Sequence, residues 1–169
     1  MFKRDSHINF KFLYNNLIKL VRKKELYIQY KIDDSFTSRT ILLFVLVSFL
    51  LIRLKTIGNA KKTSQIIFDN IFRCIELNLR ELGFGDTSVN SQMKKLTKIF
   101  YDILIKCEKF NNPKQKIFND FLILQFYSDK NTKKECVENL AKFLISFKHF
   151  SSKLTLESIK KGDIKFNYF

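Results

Sequence analysis

Apolar side chains recur at helical spacing along most of this chain. Phe10, Leu13, Leu17, Leu20 and Val21 form a first stripe. Lys19, Arg22, Lys23 and Lys24 gather at its C-terminal end, where cations oppose the partial negative charge of a helix terminus. Tyr27, Ile28, Tyr30 and Ile32 follow as a short link, extended or helical, and Asp33-Asp34-Ser35 reads as a turn and cap. The segment Ile41 to Ile52 is then twelve residues without a charge, bounded by Arg39 and Arg53. A bilayer-spanning helix needs about 20 apolar residues. The run is therefore too short to span and is predicted as the central helix of a bundle, apolar all round because other helices surround it. Gly58-Asn59 ends it.

Two long amphipathic patterns come next. Ile67, Ile71, Ile75, Leu79 and Leu82 predict a helix over about Lys61–Leu82, and Val89, Met93, Leu96, Phe100, Ile103, Leu104 and Cys107 a helix over about Thr87–Phe110. Gly83 follows the last periodic residue of the first, where a helix end needs positive φ. Phe84 is placed to pack back on the last turn, Gly85 permits a second sharp turn, and Asp86, Thr87 and Ser88 are all N-cap residue types. The pattern predicts a helix–helix elbow. Lys94, Lys95 and Lys98 lie off the apolar stripe, facing water beside Arg80. Beyond the break at Asn111-Asn112-Pro113, Ile117, Phe118, Phe121, Leu122, Leu124 and Phe126 suggest a short helix. Ser128–Thr132 reads as a polar loop with a capping residue. Val137, Leu140, Ala141, Leu144 and Phe147 mark another helix, and a last piece runs from Leu154 to Lys161 and ends at Gly162. Ile164-Lys165-Phe166 closes the chain as a tail able to pack down. The expectation is an all-α protein, one domain over residues 1–169, built as a bundle of about six to seven helices with C-terminal helices at 117–161 and a short tail at 162–169.

Composition supports that class. Hydrophobic residues make up 46% of the 169, enough for a core, and one proline with four glycines favours few, long elements. The net charge of +15 suits an anionic partner such as ribosomal RNA or an acidic lipid surface. Richness in Phe, Ile and Asn with no Trp is also what an AT-rich genome produces, so codon bias accounts for part of the lysine excess. Cys74, Cys107 and Cys136 are far apart and the only histidines are His7 and His149, which disfavours a zinc site or disulfide framework and suits a reducing compartment. Residues 1–9 are polar and short, with no apolar run of signal-peptide length after the basic Met1-Phe2-Lys3-Arg4.

The sequence carries no Gly-rich phosphate loop, His-Glu-x-x-His or nucleophile elbow. Glu76, Glu81, Asp86 and Glu108 are the carboxylates that could meet near the elbow, and Arg80 and Glu81, adjacent on a helix, point in different directions. The expectation is a protein that is not an enzyme, without cofactor, metal or small-molecule substrate.

The elbow also carries a resemblance. Leu79-Arg80-Glu81-Leu82-Gly83-Phe84-Gly85-Asp86-x-Ser88-Val89, with Lys94-Lys95-Leu96 and Phe100-Tyr101 after it, resembles the signature of the ubiquinol–cytochrome c chaperone family. Val21-Arg22-x-x-x-Leu26-Tyr27, Ile32-x-Asp34 with Arg39, Leu51-x-Arg53-Leu54 and Phe68-x-x-x-Phe72 are similar to further elements of that pattern, which together cover about residues 17–110. Gly162-x-Ile164-x-Phe166 resembles its closing element. Asn90 stands where the family has glycine, and Asp102-Ile103 where it has Gly-Arg, so no role of that arginine passes to this chain.

The resemblance implies a helical, non-enzymatic chaperone that binds newly made cytochrome b during assembly of the cytochrome bc complex, with the ribosome, a small helical partner protein and the membrane surface as further partners. The pattern begins about 20 residues after Met1, leaving little room for a transit peptide. It therefore points to a bacterial member, cytoplasmic and peripheral at the inner membrane, or to the mitochondrial matrix side if eukaryotic. The expected partner-contacting residues are Arg39, Arg80, Glu81, Asp86, Lys94, Lys95 and Tyr101, with Gly83, Gly85 and Val89 shaping the corner. Asp86 has the alternative of a helix cap, and Tyr101 of a core residue with its hydroxyl at the rim. Two other functions stand beside this one: a basic helical module that binds RNA, and a peripheral membrane protein without a client.

Overall fold

The computed structural model describes residues 8–128 and 134–169. The basic start Met1-Phe2-Lys3-Arg4, and the expected loop apart from Ser128, lie outside the described residues. Among those described, the chain is all helix and connection: α1 (Phe10–Val21), α2 (Lys24–Ile28), α3 (Phe36–Thr56), α4 (Lys61–Glu81), α5 (Asp86–Lys109), α6 (Lys116–Phe126), α7 (Lys134–Ser152) and α8 (Leu156–Lys161). Six helices have eleven residues or more, and α2 and α8, of five and six residues, are little more than one turn each.

α3 is the axis of the bundle. It packs against α5, α7, α4, α1 and α6, and every residue from Thr40 to Leu50 is buried. The uncharged run of twelve proves to be part of a helix of 21 residues, so length alone does not bar it from a bilayer. What decides its place is packing: 72% of its most apolar window is buried by the protein's own helices. Ser35 caps its N-terminus by accepting a hydrogen bond from the Ser38 amide, as the Asp-Asp-Ser turn predicts. At the other end Ile57 is the C-cap, and Asn59 rather than Gly58 takes the left-handed conformation, with φ of 61°.

Aromatic rings fill the layers around α3. Phe44 meets Phe72 and Phe100, and Phe49 meets Phe110 and Phe147. Lys148 sits half-buried against the end of α5. Its ammonium donates to the carbonyls of Cys107 and Phe110 and to Asn111 Oδ1, satisfying orphan acceptors of that helix terminus.

The C-terminal tail does pack down. Phe166 lies against Phe143, Phe147 and Phe150 of α7, and Phe169 bridges Phe143 and Tyr30. Gly162, at φ 72°, turns the chain out of α8 directly over the backbone of α1. There its carbonyl accepts from Asn16 Nδ2 and the Asn9 amide donates to the Lys160 carbonyl, tying the two ends of the chain together.

Candidate functional site

The elbow forms where the glycine pattern places it. α4 ends at Glu81 with Leu82 as its C-cap, and Gly83 takes φ 89°, a conformation in which a Cβ would crowd its own backbone. The Gly83 amide donates to the Arg80 carbonyl and the Phe84 amide to the Leu79 carbonyl, the paired bonds of a Schellman cap. Gly85 behaves differently. Its φ of −72° and ψ of 162° suit any residue, and it is itself the N-cap of α5, with no side chain to bond the first amides. Asp86, Thr87 and Ser88 are therefore not caps; the helix already starts at Asp86. Residues 80–88 are all exposed, while Val89 is fully buried and anchors the first turn of α5.

Asp86 does something else at that helix start. Its carboxylate takes the Arg80 guanidinium, whose other nitrogens donate to Glu76 Oε1 one turn back at 2.9 and 3.3 Å. One arginine thus clamps the last turn of α4 to the first turn of α5, with a carboxylate placed favourably at a helix N-terminus. Of the four carboxylates expected near the elbow, Glu108 is elsewhere. It lies at the far end of α5, 2.7 Å from Lys55 Nζ, because a helix of 24 residues carries its ends about 36 Å apart.

Glu81 and Leu82 face another way, into an open cleft of about 430 Å³ between α1, the start of α3 and the end of α4. Ile18, Val21, Phe36, Leu43, Ile75 and Leu82 give it apolar walls, and Arg22, Arg39, Tyr14, Asn78 and Glu81 supply polar groups. Arg39 is held in place by Asp34, with Nε and an outer guanidinium nitrogen both 2.7 Å from Oδ1, and lies 5.7 Å over the Tyr27 ring. Burial pushes the phenols of Tyr14 and Tyr27 above their ordinary range, against the Asn78 hydrogen bond at Tyr14 and the Arg39 charge at Tyr27. Both stay neutral hydroxyls. The cleft offers Arg22 from the end of α1, the Arg39–Asp34 pair at the start of α3, Glu81 from α4 and an apolar floor. Such a lining has both polar and apolar groups to offer a bound segment.

The expected contact residues therefore fall into three groups. Arg39 and Glu81 share the cleft. Arg80 and Asp86 hold the elbow and engage each other. Lys94, Lys95 and Tyr101 are exposed on the outer side of α5. Tyr101 is 52% exposed and only its inner edge packs, against Phe68 and Phe100, so it is a surface residue rather than a core one. The cleft's α1 wall was not anticipated from sequence: Tyr14 and Ile18 sit on a stripe flank that looks merely amphipathic. Glu76, expected among the carboxylates near the elbow, does meet Arg80 there, four residues before it on one helix.

The model of the family described as Ubiquinol-cytochrome C chaperone matches residues 29–166, well over half of the chain. A crystal structure described as the Cbp3 homolog from Brucella abortus superposes with a TM-score of 0.79 at 22% identity, covering 94% of this chain and 88% of that one. At that identity the likeness speaks for the fold. No curated protein sequence matches.

Proposed function

Because this chain belongs to the ubiquinol–cytochrome c chaperone family, we propose that it binds newly made cytochrome b during assembly of ubiquinol–cytochrome c reductase, using the cleft beneath the elbow. The observation that carries this reading is the cleft itself. It is open, walled by Ile18, Phe36, Leu43, Ile75 and Leu82, and rimmed by Arg22 and the Arg39–Asp34 pair on one side and Glu81 on the other. An apolar client with charged flanks, such as a membrane protein not yet in its complex, matches both parts. Leu82, on the cleft wall, is 59% exposed, and Phe84, two residues along the elbow, is 41% exposed. Arg80, Asp86 and Gly83 contribute by fixing the angle at which Glu81 and Leu82 are presented.

The test is capture of the client. Tagged protein is purified from gently solubilised cells and cytochrome b is measured in the eluate, alongside the level of assembled reductase in a deletion strain. Recovery of cytochrome b, its loss with Leu82→Asp or Glu81→Lys in variants of unchanged circular dichroism, and reduced reductase on deletion support the reading. Normal reductase levels after deletion reject it.

A further inference from the structure

The outer face of α5 has a charge arrangement that the cleft does not use. All three of its acidic residues are engaged by cations: Asp86 by Arg80, Asp102 by Lys106, and Glu108 by Lys55. Lys94, Lys95, Lys98 and Lys109 are exposed and, among the described residues, take part in no ion pair. The face is thus effectively cationic, although its sequence alternates in sign.

Helical spacing brings Lys94, Lys98, Tyr101 and Ile105 into one line, since they follow one another at four, three and four residues. Ile105 is 55% exposed and Tyr101 52% exposed. The opposite side of α5 packs on α3 and α4, so this line is an outer surface of the bundle. From Lys94 to Lys109 it extends about 22 Å along a single helix.

We infer that the outer face of α5 is a docking surface for an anionic lipid bilayer, with Lys94, Lys95, Lys98 and Lys109 reaching the headgroups and Tyr101 and Ile105 entering the interface. Two observations select lipid over nucleic acid. An exposed isoleucine between Lys98 and Lys109 on one helix gains from a hydrocarbon boundary and nothing from a phosphate backbone. Tyr101 keeps one side of its ring against Phe68 and Phe100, which leaves less of it for a base to stack on and suits an interfacial tyrosine better. Asp86 at the N-terminus of the same helix, held by Arg80 of α4, puts the elbow at one end of the surface, so docking would hold the cleft close to the membrane plane.

Each lysine near an anionic surface strengthens binding about fivefold, so removing three weakens it about a hundredfold. The experiment is flotation of the full chain with vesicles of phosphatidylcholine alone and of phosphatidylcholine mixed with phosphatidylglycerol. The variants are Lys94→Gln/Lys95→Gln/Lys98→Gln, Ile105→Ser, and a control with the same change of charge elsewhere, Lys11→Gln/Lys142→Gln/Lys153→Gln. Support consists of binding to the anionic vesicles only, loss of about a hundredfold in the α5 triple, a few-fold loss in Ile105→Ser, and a much smaller loss in the control. Equal losses in the two triples would mean diffuse charge and overturn the inference, as would no binding to anionic vesicles. It is equally overturned if the α5 triple loses affinity for single-stranded RNA while keeping its affinity for vesicles. Capture of cytochrome b in detergent by the unchanged protein and by Leu82→Asp is measured in parallel. It reports on the cleft, so failure of the surface and failure of the client reading are told apart.

Discussion

Three glycines of this chain are chemically identical and should respond to the same substitution in three different ways. At Gly162 a Cβ would lie 2.5 Å from the Leu13 amide nitrogen, 2.9 Å from Leu13 Cα and 3.1 Å from the Asn9 carbonyl oxygen. These are backbone atoms of α1 and cannot swing aside, and Gly162 also sits at φ 72°. The left-handed conformation costs an alanine about 1–2 kcal/mol, and forcing an extra carbon into a filled space about 1–3 kcal/mol more. Gly162→Ala is therefore expected to lose about 2–5 kcal/mol, a large share of the roughly 5–15 kcal/mol that holds a domain folded. At Gly83 the φ of 89° remains but nothing lies within 4 Å, so Gly83→Ala should lose only the conformational part, about 1–2 kcal/mol. At Gly85 neither cost applies. A weaker N-cap and a stiffer unfolded chain then oppose each other, and Gly85→Ala should change stability by less than about 1 kcal/mol. Urea unfolding followed by far-ultraviolet circular dichroism measures all three. Gly85→Ala as damaging as Gly162→Ala, or Gly162→Ala below about 1 kcal/mol, would refute the reasoning.

Four further outcomes follow from the structure. Ser48 is fully buried in α3 with its hydroxyl lacking a partner, so Ser48→Ala should stabilise by about 1 kcal/mol in the same urea assay; a loss would mean that the hydroxyl is bonded. The Arg80–Asp86 contact is largely exposed, so a double-mutant cycle in stability should give a coupling below about 1 kcal/mol that fades with salt. Burial pushes the Cys107 thiol up, and Cys136 is also buried. An aromatic disulfide reagent should leave both unmodified in the native protein and modify both in denaturant. Burial and the neighbouring Tyr168 push Tyr30 up to about 12. Its folded pKa lies above the unfolded value of 10.0, so its contribution to stability is whole below that value and is lost as pH rises towards 12. Tyr30→Phe should flatten the fall in stability across that window.

The helices were legible because each writes its own periodicity. The stripes of α1, α4, α5 and α7, the Ser35 cap and the Gly83 end all depend on residues within one or two turns of each other. Gly85 shows where such reading stops. Next to Gly83 it looks like a second special turn, but a sequence does not state φ, and the value adopted is ordinary. The Asp86 carboxylate was misread for a related reason. Cap residue types commonly precede helices, yet here Arg80, across the elbow, competes for that carboxylate as a charged donor.

The sequence by itself determined that this chain is all helix, that the uncharged run belongs to its central helix, and that two helices meet at Gly83. These follow from local backbone preference and from the need of each apolar stripe to leave water. Only the tertiary structure decided that α1 closes one side of a cleft opposite Glu81, that every carboxylate on α5 is neutralised while its neighbouring lysines are not, and that Gly162 must stay bare beneath α1. Those facts depend on which atoms from distant parts of the chain end up a few ångströms apart. Periodicity fixes the face a residue occupies on its own helix, but not what the fold sets against it.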